Sequence, residues 1–289
     1  MSIFINEKTR VLFQGITGSF GTYHSQRMLD YGTNIVAGVT PGRGGTKVNG
    51  VPVYDSVRQV IKNHELDASI IMVPAPFIKD SVFEAIEAGI KFIACVVEGV
   101  PVQDMMLIKR HLEETETIML GPNSPGLISP GKAVLGFMPS HIYTQGNIGI
   151  VARSGTFSYK VADSLTRAGL GQSTCVGIGG DPITGISFIE PLKMFEEDQE
   201  TKAIVLVGEI GRTSEEEAAQ FIKEHISKPV IGIILGRTAP EDKQMGHAGA
   251  VISAGRGTYQ SKIKALQEAG VSIAKSASEV PNLVKKYLP

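Results

Sequence analysis

The sequence predicts two α/β domains, each built on a doubly wound parallel sheet, over residues 1–122 and 123–289. Three observations lead there. Short apolar runs alternate with helix-like segments at the interval of βαβ units along the whole chain. Several of the apolar runs end in glycine-rich turns that open a helix, the arrangement that aims unpaired N–H groups at a ligand. Between the two series lies Gly121-Pro122-Asn123-Ser124-Pro125-Gly126, a cluster of breakers that reads as the domain boundary.

In the first half a strand at 9–15 centres on Val11-Leu12-Phe13 and runs into Gly15-Ile16-Thr17-Gly18-Ser19-Phe20-Gly21, followed by a helix to Asp30. Strand, glycine turn and helix form the opening of a dinucleotide-type βαβ unit. The second strand, 34–39, ends where an NAD site would carry an acidic residue for the ribose hydroxyls. It runs instead into Thr40-Pro41-Gly42-Arg43-Gly44-Gly45-Thr46-Lys47, a basic glycine loop suited to a phosphate-bearing ligand, with NADP still open. A helix at 56–64, a strand at 68–73, the Pro74-Ala75-Pro76 turn and a helix at 79–88 stopped by Gly89 continue the alternation. A strand at 91–97, Glu98-Gly99, a helix at 102–113 and a short strand near Ile118 complete it. Ligands of such sheets lie beyond the C-terminal strand ends, which here collect Thr17, Pro41, Arg43, Pro74 and Glu98.

Residues 126–133, Gly-Leu-Ile-Ser-Pro-Gly-Lys-Ala, nearly spell a P-loop. Ala133 lacks the hydroxyl for Mg²⁺ and Pro130 lacks an N–H for phosphate, so no nucleotide cradle is expected.

The second half repeats the alternation. A strand at 148–152 leads through Arg153-Ser154-Gly155-Thr156 to a helix at 157–167, with Ser154 as its N-cap. Strands at 173–178 and 203–207 end in Gly179-Gly180-Asp181-Pro182 and Gly208-Glu209-Ile210-Gly211. Ser214 and Glu217 read as a capping box for a helix to His225, with Glu215-Glu216-Glu217 as favourable charge in its first turn. A strand at 230–235 leads to Met245-Gly246-His247-Ala248-Gly249-Ala250. A helix at 259–269, a strand near Val271 and a helix at 278–287 close the domain.

The stretch with most chemical promise is Gly246-His247-Ala248-Gly249. Flanking glycines let a bulky reactant approach, and a neutral imidazole is a nucleophile near pH 7 without further activation. Glu209 is the acidic candidate that could hold one ring nitrogen and leave the other to react. His24, His64, His111, His141 and His225 have no such setting and lack metal spacing, so structural or solvated roles and no metal site are expected.

Composition narrows the function classes. Lys and Arg number 28 against 29 Asp and Glu, a net charge of -1, without the basic excess of a nucleic-acid or membrane-surface protein. The two cysteines, Cys95 and Cys175, lie in apolar runs and read as buried free thiols. No apolar run approaches the roughly 20 residues of a membrane span, and 1–10 shows no signal peptide. A cytoplasmic protein, or the mature form of a mitochondrial matrix protein, is expected.

Taken together, the motifs resemble one family, the α subunits of succinyl-CoA synthetase (succinate–CoA ligase). The resemblance is carried by Gly-Ile-Thr-Gly-Ser at 15–19, Thr-Pro-Gly at 40–42, Val-Pro-Ala-Pro at 73–76, Glu-Gly at 98–99 and Gly-Pro-Asn at 121–123. Arg-Ser-Gly-Thr at 153–156, Gly-Ile-Gly-Gly-Asp-Pro at 177–182, Gly-Glu-Ile-Gly at 208–211 and Gly-His-Ala-Gly-Ala at 246–250 extend it over essentially the whole length. It implies a Rossmann-like CoA-binding domain followed by a flavodoxin-like ligase domain. By the resemblance, coenzyme A would meet Thr17, Gly18, Ser19, Phe20, Val39, Pro41, Arg43, Val73, Pro74, Val96, Val97, Glu98, Asn123 and Ser124. His247 would be a transient phosphohistidine oriented by Glu209. Ser154, Gly155 and Thr156 would hold the phosphoryl group, and Tyr159 would lie at the acid substrate. ATP or GTP with Mg²⁺ would reside on a β subunit with an ATP-grasp site, in an αβ or α2β2 assembly. Three positions depart from the family's pattern: Arg43 replaces the usual Lys, Phe20 a frequent Gln, and Ser124 a common Cys. A ligase for another short acid such as malate or citrate, an NADP-dependent oxidoreductase and a non-catalytic CoA-binding subunit stay open at the level of sequence.

Overall fold

The structure, a computed structural model, describes residues 2–253 and 255–288. The chain forms two compact units. One holds Phe4–Met138 with Ile183–Gly185; the other holds Pro139–Pro182 and the chain from Ile186 onward, with residues 2–3.

In the first unit the elements are β1 (Val11–Gln14), α1 (Ser19–Tyr31), β2 (Ile35–Val39), β3 (Lys47–Val48), β4 (Val51–Tyr54), α2 (Val57–Val60), β5 (Ala68–Ile71), α3 (Ile78–Glu87), β6 (Phe92–Cys95), α4 (Val102–Glu113), β7 (Ile118–Leu120), β8 (Gly126–Ser129) and β9 (Ala133–Gly136). The main sheet runs β3-β4-β2-β1-β5-β6-β7, with only β3 antiparallel to its neighbour. Without β3 the order of the parallel strands is 3-2-1-4-5-6, the Rossmann order, and it reverses between β1 and β5. Strands buried on both faces explain the continuous apolar runs: Leu12, Ile71, Ile93 and Met119 share one core with Ile78, Val82 and Ile108 of the helices. Two expectations are corrected. The helix expected at 56–64 is one turn, capped by Ser56, whose hydroxyl accepts from Gln59 N. The β3–β4 pair falls within the basic loop and the segment after it.

The near P-loop is an antiparallel hairpin, β8–β9, turned by Ser129–Lys132 with Lys132 N donating to Ser129 O. Gly126 has φ +90°, and a Cβ there would lie 1.8 Å from the Leu135 carbonyl, so this pairing requires glycine. The hairpin belongs to the first unit. Thr33 Oγ1 accepts from Val134 N at 3.0 Å and donates to Val134 O at 2.8 Å. The first compact unit therefore runs to Met138, past the breaker cluster at 121–126 where the sequence suggests a boundary. Those glycines and prolines shape tight turns rather than a linker.

The second unit contains β10 (Gln145–Ala152), α5 (Gly155–Arg167), β11 (Gln172–Gly177), α6 (Ile189–Glu197), β12 (Ala203–Glu209), α7 (Ser214–His225), β13 (Val230–Leu235), α8 (Tyr259–Glu268), β14 (Ser272–Ile273) and α9 (Val280–Val284). Its own strands pair in parallel as β14-β13-β12-β10-β11. Counted from β10 and read from the β11 side, the order is 2-1-3-4-5, the flavodoxin order, with its switch point between β10 and β12. Helix α6 has no counterpart in the elements expected from sequence. The expected capping box does not form: Thr213 is the N-cap of α7 without a side-chain cap bond, and its hydroxyl instead donates to Glu217 Oε1 at 2.7 Å. Among the described residues no helix is long and apolar enough to cross a membrane.

Candidate active site

At the switch point of the second sheet, β10 delivers Arg153 and Ser154 while β12, beside it, ends in Glu209. Ser154 caps α5, its hydroxyl accepting from Phe157 N at 3.4 Å, so the helix begins where the strand ends. Gly155 and Thr156 form the first turn. The loop beyond β13 then returns to this edge and places His247 against Glu209.

Sequence could give that pair a use but not a position; the fold brings the two side chains together. His247 Nδ1 lies 3.0 Å from Glu209 Oε1 and 2.9 Å from Oε2. The histidine side chain keeps 29% of its surface exposed while Glu209 is buried, so Nε2 is the free end of the ring. The hydrogen bond donated to Glu209, more than anything else, raises the imidazole pKa above its ordinary value; burial opposes it, and the charge of Glu209 reinforces it.

Backbone geometry fixes the ring's height. Gly180, in the turn after β11, approaches the imidazole closely: a Cβ there would stand 2.4 Å from His247 Cγ and 2.7 Å from Nδ1. The loop is tied by Gly249 N to Gly180 O at 3.2 Å and by Ala250 N to His247 O at 3.0 Å. Gly180→Ala is expected to push the ring off Glu209 and so lower the imidazole pKa, with only a small change in melting temperature. An NMR titration of the histidine beside a thermal melt checks this; an imidazole midpoint equal in variant and parent would refute it.

Beneath the pair lies a buried ionic network that the sequence does not announce. Arg153 is fully buried: Nη2 sits 3.2 Å from Glu209 Oε1 and donates to Gly249 O at 3.3 Å, while Nη1 donates to Glu215 Oε1 and to the carbonyls of Glu209 and Gly211, each at 3.2 Å. Lys262, on α8, donates from Nζ to Glu215 Oε2 at 2.6 Å and Glu216 Oε2 at 2.8 Å. Burial alone would push the Glu215 carboxyl up; Arg153 and Lys262 outweigh it and hold the group below the usual value. Glu215 is thus no surface charge for a helix dipole, as its place in a Glu-Glu-Glu run suggests. One signal exists. Lys262 occupies an inward position, four residues before buried Leu266.

Tyr159, one turn into α5, is raised well above the ordinary tyrosine pKa, first by burial and then by Cys175. Cys175 is a buried free thiol pushed up to about 12 by burial, and Cys95 is likewise buried and outside any disulfide, both as expected from their apolar runs. No group of three or more His, Cys, Asp or Glu among the described residues could hold a metal ion.

The first unit gathers the other candidates at the C-terminal ends of its parallel strands. Thr17, Gly18, Ser19 and Phe20 follow β1, Pro41 and Arg43 follow β2, Val73 and Pro74 follow β5, Val97 and Glu98 follow β6, and Asn123 and Ser124 follow β7. Gly15 bends the chain at φ +86°, where a Cβ would lie 2.6 Å from Met72 O, and α1 starts at Ser19 without a side-chain cap. Its first-turn amides suit an anion. Gly44 N donates to Asp55 Oδ1 at 2.8 Å, which steadies the loop that carries exposed Arg43. Phe20 is exposed but packs edge-on against His24 and Phe137, centroids 4.3 and 5.2 Å away. Val39 and Val96 are buried in the core, and Ser124 is buried with its hydroxyl accepting from Gly126 N at 2.9 Å.

With this geometry in view, two family models match: a CoA binding domain over residues 6–99 and a CoA-ligase domain over 151–272. Two relatives from Archaeoglobus fulgidus, succinate–CoA ligase [ADP-forming] subunits alpha 1 and alpha 2, are 53% and 56% identical across 100% of this chain and 99% and 100% of their own lengths. This chain belongs to the succinate–CoA ligase α-subunit family. A further α subunit, from Staphylococcus epidermidis, is 52% identical over 97% of this chain and 93% of its own. Among solved structures, the ATP citrate lyase of Methanothrix soehngenii, in complex with citrate and coenzyme A, aligns over 98% of this chain with a TM-score of 0.88 at 25% identity. The chain spans half the length of that protein. Membership of the α-subunit family favours neither an NADP-dependent oxidoreductase, nor a non-catalytic CoA-binding subunit, nor a malate or citrate ligase.

Proposed function

We propose that this chain is the α subunit of an ATP-dependent succinate–CoA ligase that forms succinyl-CoA reversibly through a phosphohistidine at His247. The observation that carries this reading is the bidentate approach of Glu209 to Nδ1, which holds a proton there and leaves the Nε2 lone pair exposed. A carboxylate is a poor electrophile, so the acid must be activated before a thiol can acylate on it. Nε2 attacks the γ-phosphorus of ATP, the Pγ–O bond breaks and ADP leaves. A succinate oxygen then takes the phosphoryl group, and the N–P bond breaks. The CoA thiolate attacks the acyl phosphate carbonyl, and inorganic phosphate departs. Ser154 and the amides of Gly155 and Thr156, at a capped helix start, suit the phosphoryl charge. Tyr159 would border the acid.

The partner is a β subunit whose ATP-grasp site holds ATP and Mg²⁺, and the exposed edge of His247 faces it. The first unit binds coenzyme A through the α1 start and Arg43. Incubation of the αβ complex with γ-labelled ATP and Mg²⁺ is expected to yield an acid-labile, base-stable label that His247→Asn abolishes. A label surviving that substitution would remove His247 from the reaction. Arg43→Ala is expected to weaken CoA binding roughly 10- to 100-fold, the scale of a lost charge-assisted contact; calorimetry showing unchanged affinity would sink that assignment. With both subunits present, succinate is expected to outrun malate, citrate and glutarate in kcat/KM.

A further inference from the structure

Glu215 and Lys262 bond to the neighbours of His247 rather than to the ring. Glu215 Oε1 accepts from Glu209 N at 3.1 Å and from Arg153 Nη1 at 3.2 Å, so one carboxylate oxygen holds both the backbone of the orienting glutamate and the guanidinium clamped on its side chain. Its other oxygen receives Lys262 Nζ, which also donates to Arg212 O at 3.0 Å. Arg153 in turn reaches Glu209 Oε1 and the Gly249 carbonyl two residues past His247, joining carboxylate and loop through one planar group. Glu215 and Lys262 are both fully buried, and the Glu215 side chain packs so closely on Gly208 that a Cβ there would meet its Cγ at 2.6 Å.

We propose that Glu215 and Lys262 are positioning residues for phosphoryl transfer, acting through Arg153 to fix the Glu209 carboxylate and the charge that His247 feels. The inference rests on the phosphohistidine reading above. The charged groups bearing on His247 are Glu209 at the end of β12, Arg153 after β10 and Asp181 after β11; those bearing on Glu215 are Arg153 and Lys262, with Arg212 close by. In this set Glu215 and Lys262 act with opposite sign. Removing the negative charge leaves Arg153 less neutralised and makes the imidazole easier to deprotonate. Removing the positive charge draws Arg153 toward Glu215 and does the reverse.

The test is the pH profile of label incorporation into His247 by the αβ complex with ATP and Mg²⁺. Glu215→Gln is expected to move the midpoint down, and Lys262→Gln to move it up, each by about half a pH unit or more. The double variant is expected to return toward the parent, a cancellation of two opposite charge effects that loss of packing alone does not produce. Should Glu215→Gln fail to accumulate folded, Lys262→Gln carries the test alone, and Lys262→Arg should restore the parental midpoint. Midpoints unmoved in variants that melt at lower temperature would reduce both residues to structural parts and overturn the proposal, while a labelled parent would leave the phosphohistidine reading intact. Absence of label in the parent complex would overturn both.

Discussion

Glu209→Gln is expected to lower phosphoryl transfer through His247 by about 10²- to 10⁴-fold and to move its pH midpoint downward. Glutamine can accept a hydrogen bond from Nδ1–H through its carbonyl but carries no charge, and its NH₂ can instead donate to Nδ1 and select the wrong tautomer. In the proposed transfer the attacking ring is the neutral one, with its proton on Nδ1 toward Glu209. Because Glu209 raises the imidazole pKa, the parental rate climbs with pH through a midpoint above the ordinary histidine value of about 6.5. Without the carboxylate the midpoint falls while the plateau drops. Stability follows the same linkage: the pair's contribution is full below the unfolded histidine pKa and is lost as pH rises through the higher folded one. The stability gap between parent and variant should therefore narrow as pH rises. Rapid-quench labelling between about pH 5.5 and 8.5, which brackets the histidine range, measures the kinetic part; an upward shift of the midpoint would contradict the assigned role of Glu209.

Arg153→Met is expected to destabilise the fold by about 3–5 kcal/mol, the range for breaking a buried ion pair from one side. The methionine fills much of the space but leaves Glu209, Glu215 and the carbonyls of Gly211 and Gly249 without their donor. Since Arg153 also ties the histidine loop to the sheet, labelling of His247 should fall even in the fraction that stays folded. Urea unfolding of parent and variant decides this, and a loss under about 1 kcal/mol would mean that water or Lys262 replaces the guanidinium.

Strand alternation and glycine placement are enough to read both sheets, because a parallel strand buried on two faces leaves an uninterrupted apolar run and each turn at the C-terminal edge needs small residues. The hairpin at 126–136 is not legible as structure: its Ser-Pro-Gly-Lys turn shares composition with a phosphate loop, and contacts distant in sequence, such as those of Thr33 with Val134 and of Tyr31 with Gly131, assign it to the first unit. Lys262 and Glu215 look like ordinary helix-surface charges in a linear reading, since their neighbours are charged and polar too. Their burial depends on which helix faces which.

By itself, then, the sequence determined the two α/β sheets and marked His247 and the phosphate-suited turns as candidates through local periodicity and backbone sterics, while the family came from the resemblance of its motifs. Tertiary structure alone decided that Glu209 meets Nδ1 of His247 across 38 residues, and that Arg153, Glu215 and Lys262 close a buried circuit behind them. Those contacts join strand ends and helices far apart in the chain. No local pattern encodes them, because the charges become tolerable only when their partners are buried in the same place.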